Sequence, residues 1–198
     1  MKIHQFYSLI DWMNNNHGTA IEKLPLKVGS IPEDGWLAGF IDADGSFSIQ
    51  LTKKETGALL LAPTASLNNK KRKITCRLRL EQRMVDPVSN QSYFNVLTEI
   101  ANFLNCNLLT RKQSSTGNEY YTLCASSRNS LQIILDYFER FPLYSSKFLD
   151  YNDWAKAAGL MLVGQHYTEE GIIEINNLKS NMNLKRTYFD WEHLNNLK

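Results

Sequence analysis

Cysteine is scarce and oddly numbered. Cys76, Cys106 and Cys124 leave one thiol over from any pairing and show no CxxC spacing. That pattern argues against a disulfide framework and a zinc ribbon, and a reducing compartment is expected. The histidines His4, His17, His166 and His193 are scattered, with no pair at metal-ligand spacing, so each reads as a surface or structural residue. No apolar run approaches the ~20 residues of a membrane-spanning helix, and no membrane partner is expected. The opening "MKIHQFYSLIDW" lacks a secretory apolar core and the Arg/Ser-rich, acid-poor look of a transit peptide. An excess of one charge is missing too. The net charge is +2 over 198 residues, so a nucleic-acid role has to come from where the charge sits.

What is present is ordinary globular composition, 43% hydrophobic and 21% charged, in a chain long enough to bury one sizeable core. Apolar residues Ile3, Phe6, Tyr7, Ile10, Trp12 and Met13 recur at helical spacing over 1–17. "LPLKVGSIPEDG", with two prolines and two glycines, reads as a connector. We therefore expect an N-terminal helix and connector over 1–34 and a main domain over 35–198. The stretch "GWLAGFIDADGSFSIQ", Gly35 to Gln50, begins as a helix with Asp34 as a cap and Gly45 as its left-handed C-terminal residue. It then alternates. Phe47, Ile49 and Leu51 face one side; Ser46, Ser48, Gln50, Thr52 and Lys54 face the other.

A second strand, "KITCRLRLEQR", puts Ile74, Cys76, Leu78 and Leu80 inward and Thr75, Arg77, Arg79 and Glu81 outward. Residues 92–104 suit a helix, 107–126 a hairpin turning at Thr116-Gly117-Asn118, and 128–141 a helix capped by Asn129 or Ser130. Two more helices follow Pro142. The open strand face carries donors suited to base edges, since Gln can read adenine and Arg can read guanine. Lys70, Lys71, Arg72, Lys73, Arg77, Arg79 and Arg83 crowd between positions 70 and 83. That is a basic footprint in which the loop lysines suit phosphates. Arg111 and Gln113 on the third strand extend it.

Gly39 inside a helix costs about 1 kcal/mol relative to alanine, which asks for a packing reason. With Gly35 and Ala43 it forms a line of small residues that would let another helix approach. Asp44 ends the same helix, beside free carbonyls that carry partial negative charge. Read alone, Asp44-Gly45 is a helix end that opens a turn. A divalent cation is the alternative that would make a carboxylate favourable there.

The nonapeptide "LAGFIDADG", Leu37 to Gly45, resembles the LAGLIDADG motif at eight of nine positions, with Phe40 for Leu. The family is that of the LAGLIDADG homing endonucleases and their maturase relatives. The order helix, strand, strand, helix, strand, strand, helix matches its αββαββα half. The resemblance implies an α+β fold whose four-stranded antiparallel sheet enters the DNA major groove. It implies two motif helices side by side and an Mg²⁺ (or Mn²⁺) site. Carried over, Asp44 is the metal ligand, assisted by the Ala43 carbonyl, and Asp42 is structural. Gln82 orders a water near the metal, and Lys147, in "FPLYSSKFLDYNDW", sits by the scissile phosphate. Strand-end polarity and an ordinary surface lysine are the plainer readings of those two. Tyr144, Phe148, Tyr151 and Trp154 read as packing residues.

The chain carries a single motif, so the resemblance implies a second LAGLIDADG half, a copy or a separate partner. The stretch ahead of the motif looks like the connector before the second motif of two-motif members, so the chain resembles a C-terminal half. The expected activity is intron-homing cleavage of double-stranded DNA. The alternatives are an RNA-splicing maturase or a nucleic-acid-binding subunit of an organellar ribonucleoprotein, and a structural interaction module. The resemblance and the asparagine-rich composition point to a mitochondrial location.

Overall fold

Alternating apolar residues build one antiparallel sheet. The computed structural model describes residues 3–24, 29–52 and 74–196. Within them β1 (Gly45–Leu51) pairs with β2 (Ile74–Arg83), β2 with β4 (Glu119–Ala125), and β4 with β3 (Leu108–Lys112). The strand order is β1-β2-β4-β3, so each ββ unit pairs within itself and the two units join through β2 and β4. Register sets Phe47 opposite Leu78 and Ile49 opposite Cys76. These residues, with Leu80, Leu123 and Ala125, are buried on the inner face. Ser46, Gln50 and Arg79 remain exposed on the outer one. A slip of one residue would exchange the two faces and drown the core, so the register is strongly determined.

The helices are α1 (Ile3–His17), α2 (Trp36–Asp44), α3 (Phe94–Phe103), α4 (Arg128–Arg140), α5 (Lys147–Leu162) and α6 (Glu169–Ser180); α2, α3, α4 and α5 bury the inner face of the sheet, and α6 packs on α5. The result is the expected αββαββα unit with helices added at both ends. Trp154 and Tyr151 of α5 and Phe138 of α4 are buried around Phe47, whose ring centroid lies 5.2 Å from that of Trp154 and 5.4 Å from that of Tyr151. Two of the four aromatic residues expected to pack, Tyr151 and Trp154, are thus core. Phe148 is half-buried against His193, and Tyr144 is exposed.

Hydrogen bonds anchor α2 at both ends. The Tyr137 hydroxyl accepts from the Ala38 N–H at 3.2 Å and donates to the Asp34 carbonyl at 2.8 Å, tying the start of α2 to α4. Asp34 caps the helix from one residue before the N-cap, accepting the Trp36 N–H at 3.0 Å. Leu37 and Ile41 are buried beneath it; truncating either to alanine would cost about 3 kcal/mol. After α6, Arg186 reaches Asp150 at 3.1 Å and Asp153 at 2.6 Å, fastening the chain's C-terminal stretch to α5.

Two local expectations are corrected. Gly45 is extended (φ −76°, ψ 162°), not left-handed. The strand begins directly at the helix end, and a Cβ at this position would lie 2.7 Å from Ile41 Cγ2 and 2.9 Å from its carbonyl oxygen. Close approach, not a positive φ, is what calls for glycine. The cap of α4 is Ser127, whose hydroxyl accepts the Ser130 N–H at 3.1 Å, while Ser130 itself is buried and bonds the Asn105 carbonyl.

Candidate active site

The C-terminal end of α2 gathers the chemistry. Asp42 turns to the chain entering α5, where its carboxylate accepts the Tyr144 and Ser145 N–H groups at 2.9 Å each and the Ser145 hydroxyl. It therefore orders the turn that presents Lys147. Lys147 opens α5 and reaches back, its Nζ 2.9 Å from the Ile41 carbonyl and 3.3 Å from the Ala43 carbonyl. A cation on these C-terminal carbonyls, of which that of Ile41 also accepts the Gly45 N–H, stabilises the helix end and offsets the carboxylate that follows. Two of the three N–H donors of the ammonium are engaged by these contacts, which leaves one for a ligand. Burial pushes the Lys147 amine below its ordinary value, against the opposing pull of Asp42, Asp44 and Asp150.

Asp44 is exposed at the helix terminus. The Gln82 side-chain amide donates to its Oδ2. Gln82 lies past Leu80 on the same side of β2, where the core ends and α2 stops. Alternation therefore delivers it to the helix and not to the open face.

Sequence reasoning missed Asp86 and Tyr93, which lie in the loop after β2. The Asp86 carboxylate accepts the Ser89 and Val88 N–H groups and the Tyr93 hydroxyl, the last at 2.7 Å. These bonds, led by that from Ser89, hold it well below the carboxylate range. Burial first, then the neighbouring Asp86 and Asp44 charges, push the Tyr93 phenol up to about 12. An acid placed two and three residues before free N–H groups, as in "DPVS", was the legible signal.

As to a cation, Asp44 and the Ala43 carbonyl are hard oxygen donors at an exposed edge, a set that suits Mg²⁺ or Mn²⁺. Among the described residues no three His, Cys, Asp or Glu side chains converge. The donor set fits, but as part of a coordination shell.

The small-residue line is exposed at Gly35, Gly39 and Ala43. A Cβ on Gly39 would meet nothing within 4 Å, whereas one on Gly35 would touch the Phe141 ring at 3.5 Å. Trp36 and Phe40 flank the open side, stacked at 5.3 Å. Phe40 is only half-buried, so it borders this face as well as the core.

The outer sheet face brings Ser46 opposite Arg79, Ser48 opposite Arg77 and Gln50 opposite Thr75. Thr52 is exposed just beyond β1. Arg111 stands on β3 opposite Tyr120. Glu81 lies between Arg79 and Arg111, 2.6 Å from each. The hydrogen bond from Arg111, ahead of that from Arg79 and the charges of both, holds the Glu81 carboxyl below its usual range against partial burial. The Gln113 side chain is drawn into the hairpin turn, its Oε1 accepting the Thr116 hydroxyl at 3.0 Å and the Tyr120 hydroxyl at 3.2 Å. Lys54, Lys71 and Lys73 lie outside the described residues.

A family model for the LAGLIDADG endonuclease matches residues 37–158. The chain belongs to the LAGLIDADG endonuclease family. The intron-encoded DNA endonuclease aI3 of Saccharomyces cerevisiae is 32% identical over 185 residues, covering 87% of this chain and 43% of that protein. An uncharacterised cox1 intron-2 protein of Schizosaccharomyces pombe is 30% identical over 140 residues, covering 71% and 35%. Among solved structures, the I-SmaMI LAGLIDADG homing endonuclease bound to cleaved DNA superposes with a TM-score of 0.58 at 27% identity, covering 90% of this chain and 52% of that one. This LAGLIDADG chain thus spans about half the length, or less, of these three relatives.

Proposed function

We propose that the chain is one half of a site-specific double-strand DNA endonuclease of the intron-homing type. It hydrolyses phosphodiester bonds with Mg²⁺ (or Mn²⁺) once a second LAGLIDADG half completes the site. The observation that carries this reading is the meeting of Asp44, Gln82 and Lys147 at an exposed helix end. Lys147 and Gln82 also steady the helix end, but Asp44 stays exposed and Lys147 keeps one N–H donor spare, so the edge is open to a ligand.

Asp44 and the Ala43 carbonyl would hold the cation. Bound there, the cation would supply Lewis-acid chemistry toward the phosphate and the attacking water. Gln82 fixes the Asp44 carboxylate and orders the water beside it. Lys147 turns its remaining N–H to a phosphate oxygen, where a positive charge already in place costs no reorganisation.

The outer face supplies recognition. Ser46, Ser48, Gln50, Thr52, Thr75, Arg77, Arg79 and Arg111 line a surface that fits the major groove, with Gln113 at its end. Lys54, Lys71 and Lys73 are assigned to phosphates. Gly35, Gly39 and Ala43 take the second motif helix, in a homodimer or with a separate partner. The roughly twofold length of the three relatives named above supports a missing half, and the intron-encoded relatives support a mitochondrial role.

The test offers the purified chain, with Mg²⁺, duplexes spanning candidate intron-insertion junctions and, in parallel, the folded intron RNAs. An endonuclease yields double-strand cuts at one defined position. Tight RNA binding with no duplex cut, alone or with a second LAGLIDADG half, would overturn the proposal in favour of a maturase-type binder.

A further inference from the structure

We infer that Glu81 is a positioning residue for sequence readout. It holds Arg111 across the sheet so that the free edge of that guanidinium reads a single guanine. This rests on the duplex-DNA reading above and adds to it the residue that sets one specificity contact.

The geometry spans two strands. Glu81 stands on β2 opposite Thr122 of β4, and Arg111 stands on β3 opposite Tyr120 of β4. The pair therefore closes over β4. Arg111 binds in bidentate fashion, Nη2 to Oε1 at 2.6 Å and Nε to Oε2 at 3.0 Å. Its guanidinium carbon lies 5.1 Å from the Tyr120 ring centroid. Arg79 holds the same carboxylate from the other side, Nη2 to Oε2 at 2.6 Å. The side chains are 24% (Glu81), 43% (Arg111) and 51% (Arg79) exposed.

A surface ion pair contributes modestly to stability, with bidentate and networked pairs at the upper end; beyond that contribution, the clamp fixes where the Arg111 guanidinium points. An arginine loses much rotamer freedom when it settles on a base, and one already clamped loses less. Glu81 takes the Nε–Nη2 edge of Arg111. The Nη1–Nη2 edge stays open, and its paired N–H groups match the O6 and N7 acceptors that guanine presents in the major groove. Three guanidinium donors occupy the Glu81 oxygens, two on Oε2 and one on Oε1, so most of the acceptor capacity of the carboxylate is spent on holding arginines.

The test is selection by the full chain, assembled with its second half, from a library of random duplexes. Wild type should yield a site containing one guanine whose preference is lost in Arg111→Gln. Glu81→Gln should lower that preference about tenfold, in line with the discrimination of one bidentate contact. Preferences read by β1 should stay, and affinity for unrelated duplex should rise because a negative charge has left the face. Glu81→Asp keeps the charge but falls short of Arg111; it should lose the guanine without that rise. Thermal melting of both variants verifies the fold. An unchanged guanine preference in both, or a uniform loss at every position, would overturn the role of Glu81. Failure of the wild-type assembly to select any duplex would instead overturn the DNA reading itself.

Discussion

The side-chain amide of Gln82, near the end of β2, donates to the Asp44 carboxylate at the end of α2. The bond joins strand to helix across the edge where the core stops. Gln82→Ala removes an exposed hydrogen bond, so folding stability should fall by only about 1 kcal/mol. Cleavage should fall further, about 10- to 100-fold, as expected when the partner that orients a ligand is lost. Comparing melting temperature with the single-turnover cutting rate separates the two. Equal losses of folded protein and rate would mean that Gln82 serves the fold alone.

Gly39 separates folding from assembly. A Cβ there would meet nothing within 4 Å among the described residues, and leucine is the better helix former by up to about 1 kcal/mol. Gly39→Leu should therefore melt at or above the wild-type temperature while failing to associate with a second half. Sedimentation of wild type and variant decides it. A variant that assembles normally would show that the second helix docks elsewhere.

Cys124 offers a reporter on the sheet face. It is exposed opposite Arg79, whereas Cys76 is buried with its thiol pushed up to about 12 by burial, and half-buried Cys106 is raised to about 11. A thiol reagent at neutral pH should modify Cys124 quickly and Cys76 only on unfolding. Bound duplex should slow labelling of Cys124. Labelling at the same rate with and without saturating duplex would place the DNA off this face.

Much of this was legible because period and burial agree. The alternation from Ser46 to Leu51 and from Ile74 to Glu81 leaves one solution for which face is core, and α2 ran from Trp36 to Asp44 as its apolar spacing required. Local rules failed where tertiary contact decided the outcome. Gly45 suggested a left-handed cap, but the tight approach of Ile41 imposed an extended glycine. Lys147 was identifiable from the resemblance, yet its contact with the Ile41 and Ala43 carbonyls lies more than a hundred residues away in sequence. Glu81 was visible as an outward residue. That it clamps two arginines required knowing that β3 lies beyond β4.

The central claim is that the Asp44 carboxylate is a ligand for hydrolysis at the end of a helix shared with a second half. Cleavage of an insertion-site duplex by wild type and by Asp44→Asn, at matched occupancy with Mg²⁺ present, tests it most directly. The variant keeps the shape of the side chain and should bind the duplex as wild type does, with cutting reduced by at least about a hundredfold, as loss of a key charge-stabilising contact implies. Cutting by Asp44→Asn at the wild-type rate would contradict the account.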